Sequence, residues 1–492
     1  MQKWEQIQGV YIHTPFCLQK CLYCDFASYA GADTETMEKY VDAVCSEIMM
    51  RSNEVTIADQ ATLYFGGGTP SLLSEKLLAK LVEALQKNGC WLQPAEATIE
   101  VNPGTADLDK LRFFKDLGFD RISFGVQSLN DAELRAVGRI HTANEALDAI
   151  TMAEKAGFTR VSADLIYGLP EQSLQTLKTS LQNLTAAGLQ HLSVYGLTIE
   201  KNTPLAGMLD KGKVELPDED CQLAMYELVQ EYLEAQGLHR YEISNYAVSG
   251  QESRHNLVYW HYLPYLSFGS SACSFNGSQR FTATDSVTDY IESIQSGKSC
   301  GGFEDLTKEM QLSEYLFMGL RTTVGIDLIE TEQRFGCDVM LEFGVELEKF
   351  IRGNLVFYDI EHRRMRRRTS LSYVMPRSPR TLFFSMSAAL MAMMTSALSF
   401  ICASIRILLS GSKPGSTRLA WKSSNSLPPN SRYSLPPNWA IRSRMCWDWS
   451  FRYWSLSNPC LAMPSLLILS LQILCKFIPF YFTQPTGHRQ GF

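Results

Sequence analysis

From residue 363 to its end, this 492-residue chain has almost no acid: 17 lysines and arginines face one carboxylate, Asp448. The rest is imbalanced the other way, with 28 bases against 51 acids, a net charge of −23. So acidic a body lacks the basic footprint that phosphate backbones demand, which argues against nucleic acid as a partner. Residues 1–9 are polar and lack an apolar signal core, so no secretory leader is expected. The thirteen cysteines lack the paired spacing of a disulfide framework. That fits a reducing compartment, and a cytoplasmic location is expected.

One cysteine run also stops short. Cys17, Cys21 and Cys24 follow a Cys-x3-Cys-x2-Cys spacing, which supplies three thiolates and not four. A [4Fe–4S] cube has four irons, and full ligation by protein takes four cysteines. Three leave one iron open to a small molecule. A zinc site is the alternative, with His13 as a fourth donor. Structural zinc sites usually close with Cys-x2-Cys pairs, however, and His13 falls on the strand before the loop. The run resembles the signature of radical S-adenosylmethionine (SAM) enzymes. In that family the open iron chelates the SAM amino and carboxylate groups, and an electron from the cluster cleaves the sulfonium.

Apolar periodicity predicts strands at 10–13, 62–65, 98–101, 121–125, 161–166 and 192–195. Between them, Met37, Tyr40, Val41, Val44 and Ile48 make a helical face, and 74–86, 107–116, 144–156 and 173–187 read similarly. Strand–helix alternation predicts an α/β fold, an open or partial (β/α)6 barrel whose ligands gather at the C-terminal ends of the strands. A helix at 218–235 and a strand at 241–247 follow. Helices at 310–320 and 345–351 suggest a small winged-helix-like domain. The expected divisions are 1–250 for the barrel core, 251–305 for a connecting segment, 306–366 for an incomplete C-terminal domain and 367–492 for an anomalous tail. Within the tail, 382–405 is 24 residues without a charge, long enough to span a bilayer. Ser-Leu-Pro-Pro-Asn occurs there twice, at 426–430 and 434–438. Either this is a membrane anchor, or translation runs out of frame after about residue 366; the acid-poor, Ser/Leu/Arg-rich composition favours the second.

Further motifs fall at or near strand ends. Gly66-Gly67-Gly68-Thr69-Pro70 is a glycine turn that lets backbone approach a ligand. Glu100 is a strand-end carboxylate, and Gln127 and Asp164 close later strands. Arg139 offers a guanidinium suited to forked carboxylate recognition. Each alone has a plain structural reading. Their order, together with the three-cysteine loop, resembles the oxygen-independent coproporphyrinogen III oxidase family of radical SAM proteins, and most closely its HemW-type heme chaperone branch, over residues 10–362. The resemblance implies a [4Fe–4S] cluster on Cys17, Cys21 and Cys24. It also implies a SAM pocket from Tyr11, Tyr23, Gly67, Gly68, Thr69, Glu100, Gln127, Arg139 and Asp164.

Two features separate the branches. The oxidase typically continues the cysteine run with Cys-x-Cys, whereas Cys24 is followed by Asp25-Phe26. His255-Asn256-Leu257-Val258-Tyr259-Trp260 resembles the chaperone branch's heme-binding motif and makes His255 a candidate axial heme ligand. The plain reading of His255 is a surface-loop residue beside packed aromatics. The chain departs from the family at Ser253, Ser270 and Cys273, where cysteine, proline and histidine are usual. The expected function is binding heme and delivering it to an acceptor protein. The alternative is oxidative decarboxylation of coproporphyrinogen III. Heme or porphyrin, an electron donor such as a flavodoxin or ferredoxin, and a heme acceptor are the implied partners.

Overall fold

The computed structural model describes residues 4–367, apart from 92, 354, 360 and 362. The apolar stretch 382–405 and the repeated Ser-Leu-Pro-Pro-Asn lie outside the described residues. Among the described residues, no helix is long and apolar enough to cross a membrane.

Six parallel strands form the core: β1 (Trp4–Thr14), β2 (Val55–Gly67), β3 (Ala97–Val101), β4 (Arg121–Gln127), β5 (Arg160–Tyr167) and β6 (His191–Gly196). They pair in that order. Helices Thr34–Arg51, Glu75–Lys87, Leu108–Asp116, Ala143–Lys155 and Leu174–Ala186 connect them. The helices start where the sequence supplies an acceptor for free N–H groups. Asp33, Ser74, Asp107, Thr142 and Ser173 each cap the first turn, and Thr142 forms a reciprocal box with Glu145.

Strand alternation divides the barrel into two environments. Val10, Ile12, Leu63, Phe65, Ile99, Val101, Ile122, Phe124, Ala163, Leu165, Leu192 and Val194 belong to one buried apolar core, which the helices also enter. The alternate positions are polar or aromatic: Tyr11, Tyr64, Glu100, Ser123, Asp164, Ser193 and Tyr195. Every other residue of these strands therefore faces the barrel interior, and the candidate pocket residues Tyr11, Glu100 and Asp164 share that face.

The sheet is larger than six strands. Tyr265–Phe268, here β7, lies parallel to β1 on the side away from β2, with Gly9 beside Tyr265. Antiparallel strands Cys273–Phe275, Gln279–Ala283 and Gly301–Asp305 extend it outward, so residues 251–305 contribute four strands. At the other edge, Asn245–Ala247 and His239–Arg240 follow β6. Of the expected strand at 241–247 only Asn245–Ala247 forms; 241–244 turn the chain, and there buried Glu242 accepts from Ser244 N–H and the Asn245 amide. Residues 306–367 fold as helices Lys308–Arg321, Leu328–Phe335 and Val339–Arg352 with a three-stranded antiparallel sheet, a winged-helix-like arrangement.

Candidate functional site

The loop after β1 carries Cys17, Cys21 and Cys24, all partly exposed and none in a disulfide. Its position is fixed by backbone. Gly68 N–H donates to Thr14 O at 2.7 Å, and Tyr29 N–H donates to Pro15 O at 2.7 Å. A Cβ on Gly68 would lie 2.7 Å from Phe16 O and 2.9 Å from Pro15 C. The glycine turn is therefore required by the close passage of the cysteine loop over the end of β2.

Each of the three cysteines has a hydrogen-bond partner; for Cys24 Sγ it is Ser28 Oγ at 3.9 Å. Thr69 Oγ1 donates to Cys17 Sγ at 3.6 Å, and Arg139 Nη1 donates to Cys21 Sγ at 3.4 Å. Arg139 also donates through Nη2 to Asn102 Oδ1 at 2.8 Å and to Gly125 O. These groups border an open cleft lined by Leu18, Cys21, Thr69, Asn102, Arg139 and His141 among others. Arg139 Nε is buried and has no hydrogen-bond partner, so the guanidinium keeps capacity for an anionic ligand. Burial raises the Cys17 thiol and, with Cys21 beside it, pushes Cys24 up to about 11; iron ligation would offset this by favouring the thiolate. Among the described residues, no group of three or more His, Cys, Asp or Glu side chains is gathered closely enough to hold a metal ion.

Glu100 lies deeper, accepting from Tyr64 O–H at 2.7 Å and from Gly67 N–H at 3.1 Å. Burial, reinforced by the charge of Asp164, pushes its carboxyl up to about 7. Asp164 accepts from Ser123 Oγ at 3.5 Å, and burial raises it to about 6. Gln127 ends β4 at a register shift, in the left-handed region with φ 67°. That turn brings its amide beside Gly125, where Asn102 and Arg139 also converge. Tyr23 packs against Val137, Ile166 and Leu169. Tyr11 O–H bonds His13 Nδ1 at 3.1 Å, while His13 Nε2 bonds Ala27 O at 3.0 Å. Burial lowers His13 to about 4, so it remains a neutral strut for the cysteine loop.

His255 is not on a surface loop. It sits in the helix Arg254–Trp260, 1 % exposed, against the inner face of the barrel. Its Nδ1 bonds Thr62 Oγ1 at 2.7 Å and its Nε2 bonds Tyr259 Oη at 2.8 Å. The ring stacks on Tyr64, with centroids 4.9 Å apart. Burial lowers its pKa to about 3. Sequence reasoning singled out neither Asn102, which lines the cleft, nor Gly125, whose carbonyl accepts from Arg139; only their cross-strand neighbours reveal them.

The radical SAM superfamily model matches residues 11–184, and the HemN C-terminal domain model matches residues 306–368. Similar proteins include the heme chaperone HemW of Bacillus subtilis, 35 % identical over 335 residues, covering 67 % of this chain and 87 % of that protein. The chain belongs to the HemW family of radical SAM proteins. HemW of Lactococcus lactis is 32 % identical, covering 71 % of this chain and 91 % of its own. The structure of coproporphyrinogen III oxidase (HemN) from Escherichia coli matches with a TM-score of 0.64 at 23 % identity, over 74 % of this chain and 87 % of that one, a likeness of fold. A [4Fe–4S] cluster and SAM are the cofactors of the radical SAM superfamily. The residues fit them: three thiols lie on one loop, one of them lining the cleft beside an incompletely bonded guanidinium.

Proposed function

We propose that this protein binds heme and delivers it to heme-requiring proteins. The observation that carries this reading is its identity of 32–35 % to heme chaperones over 87–91 % of their length. The residues after Cys24 agree, since Asp25-Phe26 stands where an oxidase would carry its further cysteine.

In this reading Cys17, Cys21 and Cys24 hold the cluster. Tyr11, Tyr23, Gly67, Gly68, Thr69, Glu100, Gln127, Arg139 and Asp164 form the SAM pocket. When bound, the cluster and SAM supply one-electron chemistry; the chain's own groups position and neutralise. The unfilled Nε of Arg139 suits a carboxylate. Glu100, half-buried and raised to about 7 by desolvation, suits a ligand ammonium that would let it ionise. A flavodoxin or ferredoxin would supply the electron, and an apo-protein would accept the heme.

His255 is the proposed axial ligand of heme, as a neutral imidazole. Both its ring nitrogens are engaged, so ligation requires release from Thr62 or Tyr259 and therefore movement of the helix Arg254–Trp260. The test is anaerobic reconstitution followed by heme titration and mixing with an apo-acceptor. Heme should bind and then appear in the acceptor. Conversion of coproporphyrinogen III to protoporphyrinogen IX with SAM and reductant, or failure to bind heme, would overturn the proposal in favour of the oxidase.

A further inference from the structure

The ends of β2 and β3 and the loop after β4 meet at one side chain. Asn102 Oδ1 accepts from Arg139 Nη2 at 2.8 Å, and Asn102 Nδ2 donates to Thr69 Oγ1 at 2.7 Å. The second contact decides the direction of the Thr69 hydroxyl. Its oxygen is accepting from the amide, so its own proton points away, to Cys17 Sγ at 3.6 Å. The first contact, with Gly125 O, holds the guanidinium so that Nη1 faces Cys21 Sγ at 3.4 Å. The backbone that carries this side chain is also held: Asn102 O accepts from Thr105 N–H at 3.1 Å and from Thr105 Oγ1 at 2.6 Å. A Cβ on Gly125 would lie 2.7 Å from Asn102 Oδ1, so the facing strand is glycine where the amide needs room.

We propose that Asn102 is a positioning residue that raises the reduction potential of the [4Fe–4S] cluster by aiming the Thr69 hydroxyl at Cys17 and the Arg139 guanidinium at Cys21. The proposal rests on those cysteines being cluster ligands. One-electron reduction adds negative charge that the thiolate sulfurs share, and donors pointed at them stabilise the reduced form more than the oxidised one. The Arg139 bond is charge-assisted and the Thr69 bond is not, so the first contributes more. Asn102→Ala frees both donors; Thr69→Val removes one.

The experiment is an anaerobic, EPR-monitored redox titration of the reconstituted full chain, with iron and sulfide counted in every variant. Asn102→Ala should shift the potential to more negative values. Thr69→Val should shift it less in the same direction, and Thr69→Ser should return it to the wild-type value. Resonance Raman Fe–S(Cys) bands should move to higher frequency in the two shifted variants. A fully loaded Asn102→Ala protein with the wild-type potential overturns the proposal. Should that variant not assemble a cluster, the Thr69 pair decides: a Thr69→Val potential equal to wild type overturns it, and a shift reversed by Thr69→Ser supports it. Full iron content in Cys17→Ala or Cys21→Ala would instead overturn the ligand assignment beneath it, a separate result.

Discussion

Replacing Glu100 by glutamine should stabilise the cluster-free protein at high pH and not at low pH. The carboxyl lies at about 7 in the folded chain because burial, and then Asp164, disfavours its charge. Unfolded, it returns to the usual range near 4.5. The folded form therefore holds its proton where the unfolded form has lost it, and stability falls as pH rises between those values. The cost of Glu100 grows from about 1 kcal/mol at pH 5 to about 3 kcal/mol at pH 8. Glutamine removes that cost and still accepts from Tyr64 O–H, but its amide cannot also accept from Gly67 N–H, a loss of about 1 kcal/mol. The two effects roughly cancel at about pH 5, leaving a gain of about 2 kcal/mol at about pH 8. Urea unfolding of both proteins at the two pH values measures this directly. A difference between variant and wild type that is the same at both would refute the reasoning.

Three other substitutions test separate parts of the structure. Gly68→Ala places a methyl against Phe16 O and Pro15 C, so the cysteine loop must shift; iron content after reconstitution should fall while the far-ultraviolet circular dichroism stays unchanged. His255→Ala leaves Thr62 and Tyr259 without their partner and opens a cavity beside Tyr64, costing about 2–4 kcal/mol in a denaturant titration. The same variant should lose the wild-type heme spectrum, and an unchanged spectrum would remove the ligand assignment. Because burial holds His255 near 3, wild-type heme affinity should stay flat between about pH 5.5 and 8, where an ordinary histidine would titrate. Glu47→Ala deprives Arg51, Tyr290 O–H and Gly269 N–H of a shared buried acceptor, and should cost about 3–5 kcal/mol by the same titration.

The six parallel strands were legible because each has an apolar alternate set that a helix must cover, and period-two patterning is a local property. The extension of β1 back to Trp4 and of β2 back to Val55 was not. Residues such as Gln6, Gln8, Asp59 and Gln60 carry no apolar alternation, and pairing between the two strands shifts register there. Strand β7 also escaped notice, since all four of its residues are buried and a short continuous run has no period to read.

At the site, residue order alone determined that three thiolates lie on the loop after the first strand, which follows from spacing along the chain. That Tyr11, Glu100 and Asp164 share one face of the sheet, and which polar groups meet across it, was decided by tertiary structure. Asn102 reaches Thr69 and Arg139, residues 33 and 37 positions away, only because strand pairing and the tight Gly66–Gly68 turn set their ends side by side. His255, 193 positions from Thr62, is buried in the fold and not on a surface loop for the same reason. A hydrogen bond acts over about 3 Å, and adjacency at that range between distant residues is created by folding.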